Sequence, residues 1–91
     1  MGDAVPPLPV DFSTYVLSLA SSAMIALGDI PDPDGHNHLD LEMAKYLIDV
    51  LGMVETKTKG NLDEAEQKLL ASVTYDLRVK FVDAQKKPAA K

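Results

Sequence analysis

The chain has no cysteine and no tryptophan. Without cysteine there is no disulfide framework, no thiolate metal site and no thiol nucleophile. With only two phenylalanines and three tyrosines, little is available for stacking on bases. Basic residues are also scarce. Nine Lys and Arg stand against 14 Asp and Glu, for a net charge of −5, which argues against nucleic-acid binding. Missing too are a basic n-region and an apolar h-region at the N-terminus, so no signal peptide is expected. A myristoylation motif needs Ser or Thr at its sixth residue, where Pro6 stands. No segment alternates with the period of a strand.

Charge itself is missing from one long stretch, Phe12 to Gly28, which is bracketed by Asp11 and Asp29. A membrane span needs about 20 apolar residues and basic flanks. This run is shorter, carries Ser13, Thr14, Ser18, Ser21 and Ser22, and has acidic flanks. It therefore reads as a helix that is covered on nearly all sides. Asp11 is its N-cap and Gly28 its C-terminal stop.

Ile30 to Gly35, with Pro31 and Pro33, is turn chemistry. Asp40 caps a second helix, in which Leu41, Ala44, Leu47, Ile48, Leu51 and Val54 recur at amphipathic spacing. Lys57 and Lys59 oppose its dipole and Gly60 ends it. Asn61 caps a third helix, with Glu64 at capping-box spacing. Its stripe is Leu62, Ala65, Leu69, Leu70, Val73, Leu77 and Phe81.

The fold expected is all-α: a three-helix small domain with helices over about 12–27, 41–59 and 62–83. A short Gly-Asn turn should make the second and third helices an antiparallel hairpin. The organisation is a Pro-rich tail over 1–10, one helical domain over 11–84 and a tail over 85–91. A chain of 91 residues buries only roughly 60–65 % of its unfolded surface. Two helices cover only part of the first, so a second copy of the chain is the simplest cover, with a dimer favoured. Tyr15, Ser18, Leu19, Ser22, Ala23 and Ala26 are assigned to that contact, since the small residues among them let backbones approach closely. A buried serine hydroxyl there can bond back to a carbonyl one turn earlier. A tightly packed monomer is the competing arrangement, and docking of the first helix on a different protein is a third.

Other constellations point to less. His36 and His38 with neighbouring carboxylates offer metal-ligand chemistry, but no third ligand is defined and no metal is assigned. Asp32, Asp34 and Gly35 fail as a calcium loop, because Ile30 and Leu41 fall at oxygen-ligand positions. Lys57, Lys59, Gly60 and Asn61 bring two ammonium groups beside a helix N-terminus, a candidate anion site. The same residues also serve as plain caps. Arg78, the only arginine, either reaches a carboxylate across an interface or is solvated. Gly52, costly in mid-helix, implies a close crossing with the first helix. No catalytic set or cofactor motif emerges, so the chain is read as no enzyme and as needing no cofactor.

The blocks Ser18-Leu-Ala-Ser-Ser-Ala23 and Lys57-Thr-Lys-Gly-Asn-Leu62, with Leu27-Gly28, Ala44-Lys45, Leu51-Gly-Met53 and Tyr75-Asp-Leu-Arg78, resemble a bacterial family of short proteins. That family is called domain of unknown function eighteen-forty-four, and the resemblance spans about 11–82. It implies a small helical cytoplasmic protein and no activity. The function expected is a self-associating, non-enzymatic interaction module. The alternative is a small-ligand or anion-binding accessory subunit that uses the turn between the second and third helices.

Overall fold

A computed structural model describes residues 10–36 and 39–86. They form three helices, α1 (Phe12–Ala26), α2 (Leu41–Lys57) and α3 (Glu64–Lys86), with no strand among the described residues. The fold is all-α, as expected. None of these helices is long and apolar enough to cross a membrane.

α1 contains no charge, so its ends rest on caps alone. Asp11, in extended conformation, accepts from the Thr14 N–H at 2.8 Å. At the other end Gly28 takes φ 81°. Its N–H donates to the Ile25 carbonyl and the Asp29 N–H to the Met24 carbonyl, both at 3.0 Å. These two bonds complete a Schellman motif, which satisfies carbonyls that a helix leaves open.

The connection from α1 to α2 folds on itself. Asp32 Oδ1 accepts from the N–H groups of Asp34 and His36, and the Asp32 N–H donates to the His36 carbonyl. The loop then returns to α1, where the Asp40 N–H donates to the Ala26 carbonyl at 2.7 Å. Asp40 is also the α2 N-cap, accepting from the Met43 N–H. One residue thus starts α2 and ties that start to the end of α1.

Four boundaries differ from expectation, the first by one residue, since α1 ends at Ala26 instead of 27. α2 stops at Lys57 instead of 59, and α3 begins at Glu64 instead of 62 and runs past 83 to Lys86. The connection is therefore six residues (58–63) long, not a one- or two-residue turn. Thr58 bonds the Val54 carbonyl through both its N–H and its hydroxyl, which ends α2 early. At the start of α3, Asp63 replaces Asn61 as the cap. The Glu66 N–H donates to Asp63 Oδ1 and the Asp63 N–H to Glu66 Oε1, a reciprocal capping box.

The core gathers Val16, Ala20, Ala23 and Ala26 of α1, five α2 residues from Ala44 to Val54, and Leu70, Leu77 and Ala84 of α3. Thr74 is buried among them and donates to the Leu70 carbonyl. The molecule measures only 16 Å through its thinnest direction. Two packed helices with axes about 8–10 Å apart and Cα radii of about 2.3 Å fill that depth. Every helix consequently keeps a face open.

A candidate self-association face on α1

The turn-by-turn geometry of α1 sorts its neutral residues into two sides. Val16, Ala20, Ala23 and Ala26 point into the core, while Tyr15, Leu17, Ser18, Ser21 and Ser22 are exposed. α1 is thus covered on one side by α2 and α3, and not nearly all round. Its outer side carries no charge. Exposed helix faces in soluble proteins are normally charged or strongly polar. The Ser18 hydroxyl donates to the Tyr15 carbonyl at 2.7 Å, so this serine spends its proton within the helix.

Of the six residues assigned to the contact, Tyr15, Ser18 and Ser22 lie on this open side. Leu19 is half-buried at its margin. Ala23 and Ala26 are taken up by the protein's own core and are withdrawn from the assignment. Leu17 and Ser21 replace them. The signal for that phase was present, since the hydroxyls at 18, 21 and 22 fall on the side opposite Val16, Ala20 and Ala23.

Aromatic burial follows the same trend. Tyr15, Tyr46 and Tyr75, one on each helix, are 50, 63 and 68 % exposed, and both phenylalanines are only partly buried. The core is therefore aliphatic and small, and the large amphipathic rings sit outside. Tyrosine is the residue type enriched where protein surfaces meet.

The turn between α2 and α3 looks different from its sequence. Lys57 is exposed in the last turn of α2, and Gly60 takes φ 88°. The Asn61 N–H donates to the Thr58 carbonyl. The first turn of α3 carries Glu64 and Glu66, and Asp63 and Glu66 carboxylates occupy the cap bonds. These carboxylates set negative charge where the anion would bind. Lys59 instead borders a cleft of about 460 Å³ with Glu55, Leu62, Gln67 and Leu70 among its walls.

In the α1–α2 loop, ligand atoms of Asp32, Asp34 and His36 lie within 4.8 Å of one another, and Asp32 Oδ1 already accepts two backbone bonds. His38 lies outside the described residues. Among the described residues no buried side-chain nitrogen or oxygen lacks a partner, so no buried polar group awaits a ligand.

Two side chains join distant elements. Lys80 of α3 pairs with Asp29 after α1 at 3.0 Å, and the Asp29 carboxylate raises the Lys80 pKa above its ordinary value. A Cβ added to Gly52 would stand 3.2 Å from an Arg78 guanidinium nitrogen. The close neighbour of this glycine is thus Arg78 of α3, not the first helix.

A family model described as a domain of unknown function (DUF1844) matches residues 9–83. No curated protein and no solved structure matches the chain.

Proposed function

The chain belongs to the family of that domain of unknown function, which brings no activity with it, and we propose on its residues that it is a non-enzymatic, self-associating interaction module. The observation that carries this reading is the outer side of α1. Tyr15, Leu17, Ser18, Ser21 and Ser22 form an open, uncharged surface on the one helix among the described residues that carries no charge. Covering it with the same surface of a second copy brings small residues together and costs no ion desolvation. α2 and α3 run antiparallel behind it, with Gly52 near Arg78 and Thr56 sharing a cleft with Leu70. They act as the scaffold. The setting is cytoplasmic, in keeping with a chain free of cysteine.

Replacing Ser22 by Glu would place two like charges in the seam. Sedimentation velocity should then show a lower mass than wild type, with the helical melt retained. An unchanged oligomer would remove α1 from the interface.

The cleft beside Lys59 supports a second reading, an accessory subunit binding a small molecule. A melting temperature raised by a ligand panel would favour it. A flat response favours the interaction module.

A further inference from the structure

α3 has two apolar sides. The inner one, with Leu70, Leu77 and Ala84, is buried. The outer one is open: Tyr75, Val79 and Val82 are 68, 43 and 46 % exposed, and they line one shallow groove with Arg78 and Asp83. The spacings of four and then three residues are those of a heptad seam. Val79 falls at position a, with Tyr75 and Val82 at the d positions before and after it. In that register Arg78 stands at g and Asp83 at the next e.

Those two charges decide the geometry. In a parallel two-stranded seam the two-fold axis runs along the helices, so each g residue faces the partner's next e residue, five positions on. Arg78 and Asp83 are five positions apart and opposite in charge. An antiparallel seam would instead set each edge against its own copy and leave neither charge matched. Gly52 helps by lacking a side chain, because the Arg78 guanidinium rests in that space at the seam's edge. We infer that the outer seam of α3 docks in parallel on the same seam of a second copy, closed by two Arg78–Asp83 ion pairs between copies. Arginine suits this role through its planar fork of donors, which matches a carboxylate.

This surface is separate from the α1 face and does not rest on it. With both contacts in use, two different two-fold interfaces take the assembly beyond a dimer. A seam of little more than two turns is small, so association through it is concentration-dependent.

The test is sedimentation velocity on the full chain, from micromolar to millimolar concentration, with a far-UV melt of each variant to confirm folding. Val79→Glu and Arg78→Asp should each lower the mass, and the double variant Arg78→Asp with Asp83→Arg should restore it. A wild-type monomer throughout, a mass indifferent to Val79→Glu, or a charge swap that restores nothing would overturn the inference. Loss of mass on Ser22→Glu with none on Val79→Glu would overturn it while the α1 reading stands. The opposite pattern would support it and remove the α1 reading.

Discussion

Asp63 and Asn61 are two residues apart, yet only one of them holds the start of α3. Both precede a glutamate by three residues, so both satisfy the same capping-box pattern in sequence. The structure separates them through Thr58 and Gly60, which use residues 58–61 as a turn and push the helix start to Glu64. Asp63→Ala should therefore cost about 0.5–2 kcal/mol. That lowers the melting temperature by several degrees, at about 4–8 °C per kcal/mol for a domain of this size. Asn61→Ala should leave it nearly unchanged, and the reverse order would restore the Asn61 cap. Gly52 makes a second residue-scale case. Its sequence position shows a cost of about 1 kcal/mol relative to Ala but not which neighbour benefits, because Arg78 is distant along the chain. Only the far end of that flexible side chain obstructs a Cβ. Gly52→Ala should consequently raise the melting temperature by a few degrees in a thermal melt. A fall would mean that Arg78 cannot move aside.

Helix α1 shows what a sequence reveals about an element and what it withholds. Its ends were legible, since Asp11 and Gly28 are isolated signals with one structural use each. Its neutrality was legible too. The extent of its cover was not, because a helix without charge has little contrast to mark its inner side. Ser18, Ser21 and Ser22 took the outer side and Ala20, Ala23 and Ala26 the inner, a difference of one hydroxyl per residue. The cap also gives α1 a pH dependence. The Thr14 N–H bond to Asp11, joined by a side-chain bond from Thr14, holds the Asp11 pKa below its ordinary 3.8. A carboxyl lowered on folding stabilises the fold above its unfolded pKa, and that contribution is lost as pH falls through the folded value. Asp11→Asn keeps a capping oxygen but removes the titration. The melting-temperature difference between wild type and Asp11→Asn should be constant above about pH 5 and shrink below pH 3.8. A difference that persists to low pH would contradict the charged cap.

At the scale of the whole molecule, a layer 16 Å thick cannot enclose a helix. The three-helix fold therefore closes a small aliphatic core and leaves a tyrosine standing out from each helix. The amphipathic stripes made the helix count and most core residues legible, because Leu47, Ile48, Leu51, Leu70 and Leu77 recur at helical spacing and are buried. The site was legible in place but not in membership: the sequence pointed to α1, and packing removed Ala23 and Ala26 from it while adding Leu17 and Ser21. The central claim is that this thin, half-covered molecule completes itself with further copies of itself. Sedimentation equilibrium of the wild-type chain, followed across micromolar to millimolar concentrations, measures this directly. The mass should rise to at least twice the 9.8 kDa of one chain and be brought down by Ser22→Glu. A mass of 9.8 kDa at every concentration would contradict it.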